Sequence, residues 1–209
     1  MSIVRASAKG DLAQVKKLLA EGADINTADP KGRTALIEAA WGGYTDVVKL
    51  LVEQGADVDC ADSSGFTPLM RAVEEEHAAV VTFLIQKGAN VNTRGNVRGS
   101  TPLMLAAENG SVKLLELLIE HGAKINAVDQ FEETALARAY RMEQIKAVNF
   151  LESKGGTRKP DRNHYTYTEK ELRPVAKATV PKWSAEADDD GFDEDEDTAI
   201  GETFEEEEG

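Results

Sequence analysis

One short phrase recurs along the chain and restricts what it can fold into. Asp29-Pro30-Lys31-Gly32-Arg33-Thr34-Ala35-Leu36 returns as Asp62-Ser63-Ser64-Gly65-Phe66-Thr67-Pro68-Leu69, as Asn96-Val97-Arg98-Gly99-Ser100-Thr101-Pro102-Leu103 and as Asp129-Gln130-Phe131-Glu132-Glu133-Thr134-Ala135-Leu136. The threonines at 34, 67, 101 and 134 give steps of 33, 34 and 33 residues. A period in this range predicts a solenoid, in which each unit buries its apolar face only against its neighbours. Such a chain presents a surface; it does not enclose a pocket.

Each unit reads as two short helices. Thr34 to Trp41 carries small residues on one side and stops at Gly42-Gly43. Tyr44 to Glu53 places apolar residues at 47, 48, 50, 51 and 52, a face too broad to be covered from one side alone. Gly55 stands where a helix ends in a left-handed residue, and the Gly of Asp-x-x-Gly supplies positive φ in the turn. Thr34, Pro68 and Pro102 suit the first turn of the next helix.

This pattern resembles the ankyrin repeat, with its Thr-Pro-Leu, its Gly between helices, its Val-Val-x-Leu-Leu and its Gly-Ala-Asp-Val-Asn. Gly55-Ala56-Asp57-Val58-Asp59, Gly88-Ala89-Asn90-Val91-Asn92 and Gly122-Ala123-Lys124-Ile125-Asn126 carry the likeness. The first unit lacks the opening turn but keeps register through Gly10-Asp11-Leu12 and Gly22-Ala23-Asp24-Ile25-Asn26. The resemblance implies an all-α solenoid with hairpin-like connections over residues 1–157. Its units are expected at about 1–28, 29–61, 62–95, 96–128 and 129–157, the first and last being atypical caps. A mixed-charge linker at 158–184 and an acidic, disordered tail at 185–209 would follow.

Departures from the pattern carry their own expectations. Ile37, Met70, Met104 and Ala137 replace the histidine that follows Thr-Pro-Leu, so each unit forgoes a Thr–His hydrogen bond. Glu76 and Glu143 replace the Gly between helices, and Glu132 replaces the hairpin Gly. Residue 132 must accept strain or the turn must reshape, which predicts that the last unit is the least regular. Arg138, Arg141, Glu143 and Lys146 suit a solvent-facing cap.

Charge and composition narrow the function. The net charge is −14, and residues 1–157 account for −4 of it, from 17 basic and 21 acidic side chains. Direct nucleic-acid binding is disfavoured, because duplex affinity rests on neutralising phosphates. No stretch approaches the length of apolar chain that crosses a bilayer, and the first fifteen residues hold no apolar run behind basic ones. Cys60 is the single cysteine, so no internal disulfide can form. These features predict a cytoplasmic protein, and because a repeat stack of this length usually needs no partner to fold, a monomer is expected.

Chemistry finds little support. His77, His121 and His164 are scattered, no metal-binding spacing of His or Cys occurs, and Gly42-Gly43 and Gly155-Gly156 lie outside any phosphate-binding frame. Cys60 reads as a small core or turn residue. Asp188-Asp189-Asp190-Gly191 and Asp193 to Asp197 lack the alternation and flanking helices of a calcium loop. The expectation is a non-enzymatic chain without cofactor or metal.

In stacks like this, partners meet the hairpin tips and the exposed side of each first helix. Carried onto this sequence, the candidate contact residues are Lys31, Arg33 and Trp41 in the second unit, with Ser64, Phe66, Arg71 and Glu74 in the third. Val97, Arg98, Ser100, Glu108 and Asn109 follow in the fourth, and Phe131, Arg138 and Arg141 in the fifth. Trp41, Phe66 and Phe131 could instead fill gaps between neighbouring units. Trp, Tyr and Arg most often carry binding energy at interfaces, so the leading expectation is an adapter, scaffold or regulator that binds a partner protein. Two alternatives are an escort for a basic client that uses the acidic tail, and a regulatory subunit of an enzyme. From Ala185 onward there is no Lys or Arg, and Trp183, Phe192 and Phe204 are spread through or beside the acid. That tail could solubilise the chain, bind a client, or fold over the arginines of the concave face.

Overall fold

A computed structural model describes residues 2–158; the linker, the acidic tail and the short helix that Thr168-Glu169-Lys170-Glu171 would begin lie outside the described residues. Among the described residues, ten helices come in pairs: α1 (Ile3–Ser7) with α2 (Leu12–Ala20), α3 (Ala35–Trp41) with α4 (Thr45–Glu53), α5 (Pro68–Glu74) with α6 (Ala78–Gln86), α7 (Pro102–Asn109) with α8 (Val112–Glu120), and α9 (Ala135–Arg141) with α10 (Ile145–Ser153). The first helices contact one another in the order α1, α3, α5, α7, α9, and the second helices form a row behind them. No strand occurs among the described residues; the hairpins hold only single bridges, at Ala28 with Thr34 and at Gly95 with Ser100. This is the all-α solenoid that the repeat predicts.

Local chemistry sets each start. Thr34, Thr67, Thr101 and Thr134 are extended, and their hydroxyls accept the N–H of Ile37, Met70, Met104 and Ala137. Pro68 and Pro102 sit at the first helical position, where no N–H is needed. Small residues then let the first helices approach: Ala39, Ala40, Ala72, Ala106 and Ala139 have no exposed surface. Between the rows, Leu36, Leu51, Leu69, Leu84, Leu103, Leu115, Leu118 and Leu151 are buried, each stabilising the stack by about 1.5–3 kcal/mol.

Units are also stitched through their backbones. The side-chain oxygens of Asn26, Asp59, Asn92 and Asn126 accept the N–H of Asp57, Asn90, Lys124 and Thr157 at 2.8–3.0 Å. Asn92 and Asn126 also donate to the carbonyls of Gly122 and Gly155. A second joint lies at the far end of the first helices. There Tyr44, His77 and Gln144, each just before a second helix, fill the space over Gly10, Gly43 and Gly110 of the preceding unit, so that a Cβ on Gly43 would stand 2.6 Å from the His77 ring. Glu76 and Glu143 occupy that glycine position with φ of 58° and 56°. The residue at the matching place in the unit after Glu76 is Ser111, smaller than Tyr44, His77 or Gln144, and after Glu143 no further described unit follows.

The expected irregularity falls elsewhere. Glu132 accepts the strain at φ 58°, and its turn keeps the bonding of the second unit: Asp129 donates to Glu133 as Asp29 donates to Arg33. The 34-residue step instead lengthens the fourth hairpin, where Gly95 donates to Ser100. Asn96 there takes φ 53°, a conformation Asn tolerates better than most residues. A Cβ on Gly95 would collide with the Gly65 carbonyl oxygen and the Met70 sulfur.

Candidate functional site

Each hairpin is built around its first acidic or amide side chain. Oδ1 of Asp29 accepts the N–H of Lys31 and Arg33, that of Asp62 the N–H of Ser64 and Phe66, and that of Asp129 the N–H of Phe131 and Glu133, at 2.8–2.9 Å. Oδ2 is then left pointing along the groove, and an arginine takes it: Arg33 on Asp29 at 2.6 Å, Arg71 on Asp62 at 2.6 Å, Arg138 on Asp129 at 2.7 Å. In the fourth unit Asn96 stands in the aspartate's place and Leu105 in the arginine's. Asn96 spends its amide N–H on the Ser100 hydroxyl.

These pairings change the character of the arginine row. Arg138 is 1 % exposed and binds Ser100 Oγ, Asp129 and Glu108 together, so it joins the fourth and fifth units and cannot reach a partner. Ser100 has no exposed surface. Repeat position places Ser100 on the contact face and Arg138 on that face or the cap. Both are interior instead, because the hairpin carboxylate draws the guanidinium inward. Burial alone would raise the pKa of Asp129, but hydrogen bonds from Arg138 and from the N–H of Glu133 and Phe131 outweigh it and hold the carboxyl below its ordinary value. Arg33 also binds Glu38, and Arg71 also binds Glu74.

Two groups of the predicted residues meet. In the second and third units, the Arg71 guanidinium lies 3.8 Å from the Phe66 ring centroid and 4.9 Å from that of Trp41. Trp41 donates its indole N–H to Glu75, and the His77 ring nitrogen meets the Trp41 carbonyl at 3.0 Å. Trp41 and Phe66 are therefore half-buried parts of one ladder. In the fourth and fifth units, Arg141 bridges Glu108 and Glu133, while Arg98 lies over the Phe131 ring at 5.5 Å. Asn109 joins the two groups by donating to the carbonyls of Val73 and Glu74. The tips touch in turn: Ser63 donates to the Lys31 carbonyl and Gln130 to the Arg98 carbonyl.

Exposure then sorts the candidates. Lys31, Ser64, Val97, Arg98, Asn109, Phe131 and Arg141 are exposed, and Arg33, Glu74 and Glu108 are half-buried like the aromatic ladder. Val97 at 80 % and Phe131 at 65 % are the barest large apolar side chains of the hairpins. Open clefts lie among these residues. One of about 520 Å³ is lined by Val4, Arg5, Ala8, Pro30, Arg33 and Glu38 among others. A second, about 210 Å³, shares Ala8 and Glu38 and adds Trp41, Gly42 and Glu75. A third, about 270 Å³, is lined by Arg98, Phe131, Glu133 and Arg141. Arg5, Ala8 and Glu75 escape a reading by repeat position, because the first unit has no hairpin and Glu75 lies past the end of α5.

Among the described residues no group of three or more His, Cys, Asp or Glu could hold a metal ion. Burial pushes the Cys60 thiol up to about 11, against a smaller opposing effect of its hydrogen bond with Thr34. Among the described residues no helix is long and apolar enough to cross a membrane.

Comparison with known proteins agrees with this architecture. A family model of ankyrin repeats matches residues 3–95 and 94–163. Two ankyrin repeat proteins of Rickettsia felis are each 49 % identical over 45 residues, which is 22 % of this chain and 71 % and 68 % of theirs.

Proposed function

Because the chain belongs to the ankyrin repeat family, whose repeats generally serve as protein–protein interaction modules, we propose that it is a non-enzymatic, monomeric adapter or regulator. In this reading it holds a partner protein along its hairpin tips and first helices. The observation that carries it is two bare apolar side chains, Val97 and Phe131, on neighbouring tips that the bond from Gln130 to the Arg98 carbonyl joins. Neither side chain packs against the buried core, and large apolar side chains left in water mark an interaction site. The stack suits the task physically. Its helices and hairpins are fixed before contact, so little conformational freedom is lost on association.

The test is affinity capture with the full chain, comparing wild type with a Val97→Ser/Phe131→Ala variant. A partner held on this face is retained by the first and lost by the second, with helical circular dichroism unchanged. Equal retention by both would remove the proposed face.

A further inference from the structure

We infer that the tips of the fourth and fifth hairpins take an acidic segment of the partner that carries an aromatic or aliphatic side chain. This rests on the reading of that face as the contact surface. Three observations support the chemistry.

The first is charge. Acidic side chains are abundant throughout the chain, yet residues 77–107 contain none, while Lys87, Arg94 and Arg98 fall within that run. The fourth hairpin itself carries Arg94 and Arg98 and no carboxylate. Asn96, which suits the left-handed turn of the lengthened hairpin, replaces the aspartate found in the others.

The second is pairing. Arg33, Arg71, Arg138 and Arg141 each bind carboxylates of their own chain. Arg98 is exposed, and among the described residues its guanidinium meets no carboxylate, only the Phe131 ring. The cleft it lines with Phe131, Glu133 and Arg141 carries one more positive than negative group. An arriving carboxylate can take the outer edge of Arg98 without displacing an existing partner.

The third is the apolar component. The Phe131 ring lies against that guanidinium and is 65 % exposed, and Val97, next to Arg98 in the chain, is 80 % exposed, so an apolar side chain one or two residues from the partner's carboxylate would find apolar surface at these tips. A basic segment would meet Arg98 and Arg141 head-on, and a purely acidic one would leave the phenyl ring in water.

The experiment uses the full chain and a fluorescein-labelled heptapeptide with phenylalanine at its centre and Asp or Glu at every other position. Fluorescence anisotropy is read at low salt. Two control peptides replace the phenylalanine with serine, or the acids with lysine. Wild type should bind the parent peptide, and Arg98→Glu and Phe131→Ala should each weaken it about tenfold, as should the serine control. Added salt should weaken binding to wild type. Arg98 and Phe131 are exposed, so both variants should keep their helical signal. Equal affinity of wild type and Arg98→Glu would overturn the inference, as would tighter binding of the lysine peptide or no binding at all. If no peptide binds but the Val97→Ser/Phe131→Ala variant still loses a captured protein, the contact face stands and its acidic specificity falls. Peptide binding without any captured protein would leave the reverse.

Discussion

Replacing Arg138 by methionine keeps most of its volume and removes the charge that joins the last two units. The structure sets the size of the effect. Three strong contacts disappear, to Asp129 and Ser100 at 2.7 Å and to Glu108 at 3.1 Å. Glu108 and Glu133 keep Arg141. Asp129 keeps its two backbone donors but is left as a buried carboxylate without a counter-charge. Breaking a buried pair in this way costs about 3–5 kcal/mol, which for a domain of this size lowers the melting temperature by roughly 10 °C. The pH dependence separates charge from packing. In wild type the Asp129 carboxyl lies below its ordinary value, so its contribution is present above the ordinary carboxylate range and is lost as pH falls through the depressed value. In the variant the lone carboxylate is pushed above the ordinary value, and protonating it removes the unpaired charge. The deficit relative to wild type should therefore shrink between pH 7 and pH 5. Adding Asp129→Asn should recover part of the loss at pH 7. Thermal unfolding followed by circular dichroism measures all of this. A shift under 3 °C, or a deficit that grows as pH falls, would refute the argument.

Other expectations come from the backbone and the thiol. Glu143→Gly removes a non-glycine residue from φ 56° without opening a cavity, and should stabilise by about 0.5–1 kcal/mol in urea titration. Gly95→Ala would press a methyl group against the Gly65 carbonyl and Met70, and should cost about 2 kcal/mol. Gly88→Ala meets nothing within 4 Å and should cost only the smaller strain of its positive φ. Comparing their urea midpoints isolates the clash. With its thiol pushed up to about 11 by burial, Cys60 should react with a disulfide reagent at neutral pH about a hundredfold more slowly in the folded chain than in urea. Equal rates would show the thiol to be open.

The fold can be read from the sequence because its signals are local. A threonine cap, a proline at the first helical position and a glycine at positive φ each act within a few residues, and the 33-residue step repeats them in phase. The proposed contact face is less legible because it depends on which way a side chain turns. Arg71 and Arg138 resemble Arg98 in a string of letters. What separates them is an aspartate nine residues earlier, Asp62 and Asp129, whose second oxygen points along the groove. The fourth unit has neither partner, with Asn96 and Leu105 at the same spacing. That correlation is visible in the sequence but acquires meaning only once the hairpin geometry is known. Residue type singles out Phe131 and Phe66 alike, yet Phe131 stands bare whereas Phe66 is held under Arg71.

The joints between units have an evolutionary consequence. Asn92 and Asn126 each grip a backbone N–H and a backbone carbonyl roughly one unit further along the chain, and touch no side chain in doing so. Such a grip is indifferent to the identity of the residues it holds. A gene that copied or lost one block of this length would find the same sockets waiting at both cut ends. Such joints let length change by whole blocks while the residues at the tips vary independently.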